Sequence, residues 1–350
     1  MRKTIKFSTF NVEWMVHFFQ RGTDAWRKGP ASGLGSKPKD PQACAARIAG
    51  VIRRLDADIV GICEGPPKRS QLQLFVNTFL DGEYEVYSAE DGAQSVHALV
   101  RRRLKKKLKV SQLPLSDAVY KQLAKPRFFH AFGEVKDATR ARFTRKPVVL
   151  RLEHGGTVTE VMTLHTKSKF SRLKSPEDWV TRRSAAVKDA ILARQKLSIE
   201  MDTIRKYIAH GLHSRRCDGV IVMGDLNDGM VRDTIDGSYL LHSIVHELRG
   251  AFHHEVALMR HVFSMQQFDR PAQAWTVEFR DATRPGKKTR VLLDHILFSP
   301  RVHEGGKITF VPNSGRVEHE AFAAHARTPI RTRDDRPSDH RPVSALFRLT

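Results

Sequence analysis

Cysteine is scarce in this chain. Its 350 residues include three, at positions 44, 63 and 217, and no two lie close together. That argues against a disulfide framework and against a cysteine-based zinc site. Long apolar runs are missing too: no stretch reaches the ~18 residues a membrane-spanning helix requires. The opening MRKTIKFSTFNVEWM is basic, and Glu13 interrupts it before any apolar segment of signal-peptide length forms. The expectation is a cytoplasmic protein with reduced thiols and no membrane span. No internal repeat is visible. Acidic residues are in deficit, with 38 Asp and Glu against 60 Lys and Arg, a formal net charge of +22.

Such an excess implies a polyanionic partner: nucleic acid, an anionic lipid surface or a phosphorylated substrate. The charge is uneven. Residues 101–151 hold 16 Lys and Arg against three acids, Asp117, Glu134 and Asp137. The densest piece, RRRLKKKLK at 101–109, reads either as a solvated hairpin end or as a polyanion contact bordering the functional strand ends. The chain is long enough to bury a sizeable core. With 40% hydrophobic residues and 19 Phe, wholesale disorder is excluded. We expect a single catalytic domain over residues 1–350, with surface insertions at about 20–42, 230–290 and 303–338, the last read as a long surface loop.

Short runs rich in Val, Ile, Leu and Phe read as buried strands. They are Ile5 to Val12, Ile59 to Cys63, Ala98 to Val100, Val148 to Leu152, Val158 to Leu164, Val220 to Met223, Val291 to Phe298 and Val343 to Leu349. Helical spacing marks Ala43 to Leu55, and a longer helix from about Pro176 to His213. The mixture predicts a layered α/β or α+β domain.

Acidic, amide and imidazole residues recur where these strands end: Asn11, Glu64, His165, Asp225 with Asn227, Asp294, and Asp339 with His340. Strand ends converge on one edge of a sheet, where ligand sites form. The set suits divalent-metal phosphoester hydrolysis. A hard cation such as Mg²⁺ takes carboxylate and water oxygens, and Glu64 is the best ligand candidate. Asp225 can orient or deprotonate a water, and Asn227 can reach a phosphate oxygen. His340, held by Asp294, can trade protons or stabilise developing charge.

Five segments in order, FNVEW at 10–14, DIVGICE at 58–64, GDLN at 224–227, LDHILFS at 293–299 and SDHRPV at 338–343, resemble the endonuclease/exonuclease/phosphatase superfamily with the DNase I-like fold. The resemblance implies an α/β fold, a four-layered sandwich of two mixed β-sheets flanked by helices, with the catalytic centre at one end. It implies that Asn11 is the first-strand amide that meets phosphate, and that Glu64 and Asp339 are metal-side acids for Mg²⁺ or Mn²⁺. Asp225 and Asn227 are then the water-orienting acid and its companion amide, and Asp294 braces the catalytic His340. FTRKP at 143–147 and LHTKS at 164–168 resemble DNase I itself, which makes His165 a catalytic residue and Arg145 a phosphate contact. Sphingomyelinases and inositol-polyphosphate phosphatases also place a His there; the apurinic endonuclease branch does not. The chain departs from the family's usual text at Cys63, Thr166 and His295. Cys63 reads as a small buried hydrophobe, and His17, His97, His130 and His295 as structural. The leading reading is a metal-dependent nuclease with nucleic acid as substrate. The alternative is a phosphatase or phosphodiesterase acting on inositol phosphates or phospholipid head groups. A catalytically dead binding module is the third.

Overall fold

The computed structural model describes residues 4–29, 31–33, 35–131, 138–169, 184–229, 244–249, 258–268, 270, 272–280, 286–302 and 305–350. The expected helix start near Pro176 and much of 230–290 lie outside the described residues.

Two mixed sheets form the centre. The first contains β1 (Thr4–Asn11), β2 (Ile59–Gly65), β3 (Tyr84–Ser88) and β4 (Ser95–Arg101), together with β15 (Ile308–Phe310), β16 (Arg316–Val317) and β17 (Val343–Leu349). Its order is β15-β17-β1-β2-β4-β3, with β16 also paired to β17. The second contains β5 (Lys109–Gln112), β8 (Val148–His154), β9 (Thr157–His165), β10 (Gly219–Asp225), β11 (Arg260–His261) and β14 (Asp294–Phe298). Its order is β11-β14-β10-β9-β8-β5. Two separate hairpins stand outside them, β6 (Arg127–His130) with β7 (Ala138–Ala141), and β12 (Val277–Arg280) with β13 (Lys288–Val291). Each sheet has one central parallel pair, β1 with β2 and β9 with β10, flanked by antiparallel partners.

The strands look continuously apolar because both of their faces are buried. The period of two sorts them. Ile5, Phe7, Val148, Leu150, Val161, Ile221, Met223 and Phe298 fill the core between the sheets. Phe10, Val60 and Ile62 instead face α1 (Pro41–Leu55) and α2 (Arg69–Phe79), through Ile48, Ile52, Leu72 and Phe75. Val149, Met162, Val220 and Val222 face α4 (Ser184–His213), through Leu197, Met201, Ile204 and Ile208, with Tyr120 of the short α3 (Ala118–Leu123) beside them. The layers run helix, sheet, sheet, helix. Among the described residues, no helix is long and apolar enough to cross a membrane.

Three expectations need correction. The run Val291 to Phe298 is not one strand: β13 ends at Val291 in a hairpin and β14 starts at Asp294 in the second sheet. The break is made by Thr276, whose Oγ1 accepts from the N–H of Leu293 and, at 3.3 Å, of Asp294. Residues 305–338 are not a surface loop. They supply β15, β16 and the helix His319–Ala323, and Lys6 on β1 donates to the buried Glu318 at 2.8 Å. The third correction concerns the basic run at 101–109. It does not border the catalytic strand ends. Arg101 donates its backbone N–H to Asp58, just before β2, whereas Glu64 lies at the other end of that strand. Seven strand residues at ~3.3 Å each put ~20 Å between them. The run carries the chain from one sheet to the other. Its cations meet local carboxylates there: Arg101 and Arg103 with Asp56, Lys105 with Glu85, Lys109 with Glu153.

Candidate active site

Strand parity brings the site together. Asn11 shares a face with Ile5 and Phe7, His165 with Val161, Asp225 with Ile221 and Met223, and Asp294 with Ile296 and Phe298. All four therefore point between the sheets, at the end where the apolar core stops. In the ladders, Asp225 stands opposite both His165 and Asp294.

Glu64 needs a different device. Alternation from Ile59, Gly61 and Cys63 would turn it outward. The β2–β4 register shifts between Ile62 and Gly65, and Glu64 has φ 56°. Bulges of this kind re-aim a side chain. Gly224, in GDLN, has φ 148°, and a Cβ there would lie 1.9 Å from the Leu164 carbonyl oxygen. Only glycine lets β10 approach β9 so closely.

Asp225 is the hub. Its Oδ2 accepts from Asn11 Nδ2 at 3.0 Å, and lies 3.5 Å from His165 Nε2 and 3.8 Å from His340 Nε2. Its Oδ1 accepts from the Asn227 backbone N–H at 2.9 Å. His340 Nδ1 contacts Asp294 Oδ2 at 2.7 Å. Asn11 divides its amide between two carboxylates, donating also to Glu64 Oε1 at 3.3 Å, while its own oxygen accepts from the Glu13 N–H. The Trp14 N–H donates to Glu64 Oε2 at 2.9 Å.

Burial and charge set the protonation states. Burial pushes the Asp225 carboxyl up to about 7; Asp294 adds to the rise, and His340 opposes it. Burial acts against a charged His340, but Asp294 and Asp225 overcome it and raise its pKa well above the usual histidine value. His165 goes the other way, lowered well below it by burial and by the charges of Arg145 and His340. One imidazole is thus held cationic and its neighbour neutral, on either side of one carboxylate.

Arg145 also reaches the site. Its Nη1 donates to the Thr166 carbonyl at 3.0 Å, and its Nε to Gln94 Oε1 at 3.2 Å. Asn227 Nδ2 donates to the same Thr166 carbonyl at 3.0 Å. Asp339 is half-buried beside Ser338, whose hydroxyl donates to the Asn11 carbonyl at 2.6 Å and accepts from the His340 N–H at 3.0 Å. All nine candidates from the sequence therefore converge on one end of the sandwich.

Sequence reading missed the residues that hold them. Glu13 is 1% exposed and is gripped by Arg333 and Arg336. Gln94 and Ser338 were also passed over, and Thr166 stood out only as a departure from the family's usual text. Glu13 and Ser338 sit inside the motifs FNVEW and SDHRPV, but nothing local marks a buried partner some 320 residues away. Of the histidines read as structural, His97 contacts the Pro66 carbonyl and His295 the Asp228 carbonyl. Cys63 is buried, its Sγ donating to the Leu164 carbonyl of the opposite sheet at 3.1 Å.

A divalent cation fits the donor set. Burial and then the nearby Asp339 carboxylate raise the Glu64 pKa, a repulsion that a shared cation would relieve. Glu64 and Asp339 offer hard oxygens at the half-open mouth. Asp225, Asp294 and His340 also lie within ligating distance of one another. Their contact at 2.7 Å, however, engages a nitrogen and an oxygen that a metal would need.

Several solved structures share this fold. Truncated TDP2 from Caenorhabditis elegans aligns over 99% of this chain and 98% of its own, at 13% identity and TM-score 0.50. A humanised D. rerio TDP2 aligns over 99% and 100%, at 12% identity and TM-score 0.51. D. rerio TDP2 complexed with single-strand DNA product aligns over 99% and 99%, at 12% identity and TM-score 0.50. No curated protein sequence matches the chain significantly. The sequence itself matches the Endonuclease/Exonuclease/phosphatase family along residues 8–340, nearly its whole length, and on that match the chain belongs to this family of phosphoester hydrolases.

Proposed function

We propose that the protein is a divalent-metal-dependent phosphodiesterase that hydrolyses nucleic acid. The observation that carries the reading is the ring of Asn11, His165 and His340 around Asp225 Oδ2, at 3.0, 3.5 and 3.8 Å. Asp225 orients the attacking water and takes its proton as the water oxygen bonds to phosphorus and the ester P–O bond breaks. The cationic His340, fixed by Asp294, stabilises the charge that grows on the phosphoryl oxygens. His165 and Arg145 hold the phosphate from the β9 side of Asp225, with Asn227 beside them. Asn11 keeps Glu64 and Asp225 in register. Mg²⁺ or Mn²⁺, held by Glu64 and Asp339, would supply Lewis-acid charge to the phosphoryl group.

Nucleic acid is favoured by the net charge of +22 and by the single-strand DNA product bound to the D. rerio neighbour. The test is incubation of purified protein with plasmid, linear DNA, RNA and inositol polyphosphate, each with Mg²⁺, Mn²⁺ or EDTA. Cleavage of nucleic acid in either metal and none in EDTA is expected. Full activity in EDTA overturns the metal assignment. Phosphate release from inositol polyphosphate alone overturns the nucleic-acid assignment.

A further inference from the structure

The two hairpins outside the main sheets share three features. Each is anchored beside the catalytic residues, one to the strands that carry them and the other to α4. Val277 bridges to His340, the Arg341 N–H donates to the Thr276 carbonyl, and Thr276 Oγ1 accepts from the N–H of Asp294. The β6–β7 hairpin precedes Arg145 by four residues, and its Arg127 donates to Asp202 on α4 at 3.3 Å. Each is basic. Residues 125–146 carry seven Lys and Arg against two acids, and residues 277–291 carry five against two.

Each also exposes a phenylalanine. Phe128 is 67% exposed and Phe279 is 43% exposed, while every other described Phe, Tyr and Trp is buried or half-buried. A single exposed apolar side chain needs no explanation. Two rings, one on each of two ribbons that flank the site, do. The charges are arranged differently on the two. Phe128 pairs across its ribbon with Arg140, so ring and guanidinium share an exposed face. On the other ribbon Phe279 pairs with Thr289, and Arg280 stands opposite Lys288 on the reverse face. Lys288 is already paired there with Glu278 at 2.8 Å, and Arg280 is exposed.

Sheet order gives the spacing. The ribbons lead into β8 and β14, and β9 and β10, which carry His165 and Asp225, lie between these two strands. Three interstrand spacings of ~4.8 Å separate the two roots by ~14 Å. The two roots therefore stand on either side of the strands that carry His165 and Asp225.

Resting on the nucleic-acid reading above, we propose that the ribbons are a clamp for a single-stranded polynucleotide, one on each side of the scissile phosphate. Phe128 and Phe279 stack on bases, and Arg140 and Arg280 meet the flanking phosphates. Ring stacking requires a free base face, which a single strand offers and a duplex hides. On the first ribbon the exposed Phe128 has the exposed cation Arg140 beside it, the pairing of ring and positive charge that such platforms use.

The test is binding of end-labelled single-stranded and duplex oligonucleotides by fluorescence anisotropy, in EDTA so that cleavage does not intervene. Phe128→Ala and Phe279→Ala should each weaken single-strand binding by ~5- to ~100-fold. Arg140→Gln with Arg280→Gln should flatten the salt dependence, by ~0.7 in log–log slope for each phosphate that is no longer neutralised. All four side chains are exposed, so the variants should fold as the parent does, with unchanged circular dichroism. Their hydrolysis of bis(p-nitrophenyl) phosphate with Mg²⁺ should also match the parent. A Phe128→Ala/Phe279→Ala double variant that binds the single strand as tightly as the parent overturns the clamp. So does a loss confined to duplex binding. If the parent hydrolyses no phosphodiester at all, the catalytic reading fails, while the binding comparison in EDTA still decides the clamp.

Discussion

Replacing Asp294 by Asn separates geometry from charge in the proton-handling pair. Asp294 is wholly buried, and its Oδ2 lies 2.7 Å from His340 Nδ1. Asn keeps the shape and can keep an acceptor oxygen toward the ring, but it loses the negative charge. A hydrogen bond to a charged group contributes ~1.5–3 kcal/mol and a neutral one ~0.5–1.5 kcal/mol. The difference, ~1–1.5 kcal/mol, corresponds to a ~5- to ~15-fold loss in turnover. Removing the imidazole altogether, in His340→Ala, should cost at least ~10²-fold.

The pH profile carries the sharper signature. His340 acts as a cation, so activity is present below its pKa and is lost as pH rises through it. Asp294 raises that pKa, so Asp294→Asn should bring the alkaline limb to lower pH. Asp225 acts as an anion, so activity is lost as pH falls through its pKa, pushed up to about 7. Asp294 is one cause of that rise, after burial. The acid limb should therefore move to lower pH as well. The whole bell shifts the same way. The assay is kcat for bis(p-nitrophenyl) phosphate across the pH range with Mg²⁺, each variant first checked by circular dichroism. An alkaline limb that stays in place or moves up in Asp294→Asn refutes the pairing. Unchanged turnover in folded His340→Ala removes His340 from the mechanism.

Three further outcomes are expected. Glu64→Gln should raise the Mg²⁺ concentration needed for half-maximal rate, because one hard oxygen is lost from the open mouth of the site; an unchanged metal titration would count against Glu64 as a ligand. Glu13→Gln should lower folding stability in urea by ~3–5 kcal/mol, since it leaves Arg333, which is 6% exposed, beside a neutral partner; a shift in the urea midpoint too small for that loss would show that the buried pair contributes little. Replacing Arg102, Arg103, Lys105 and Lys106 by Gln should leave oligonucleotide affinity and its salt slope unchanged, because this run lies at the end of β4 remote from Glu64; a flattened slope would place nucleic acid at that end.

Much of this architecture was open to inspection in one dimension. A buried strand has to be apolar on both faces, so β1, β2, β9, β10 and β17 stand out as short apolar runs. The polar residue that ends each run marks the point where the core stops. GDLN and SDHRPV hold four of the nine candidates, Asp225, Asn227, Asp339 and His340; the ends of apolar runs mark Asn11, Glu64, His165 and Asp294, and Arg145 is named only through the resemblance of FTRKP to DNase I. Other features depend on tertiary structure for physical reasons. Whether Glu64 faces inward turns on a register shift between Ile62 and Gly65, and a shift is a relation between two strands. Whether Glu13 is a buried ion or a solvated one turns on Arg333 and Arg336, which arrive only when the end of the chain folds over its beginning. The direction of the run at 101–109 depends on which end of β4 it leaves. Seven cations read identically at either end of a sandwich, and only the pairing of β4 with β2 turned them away from the site.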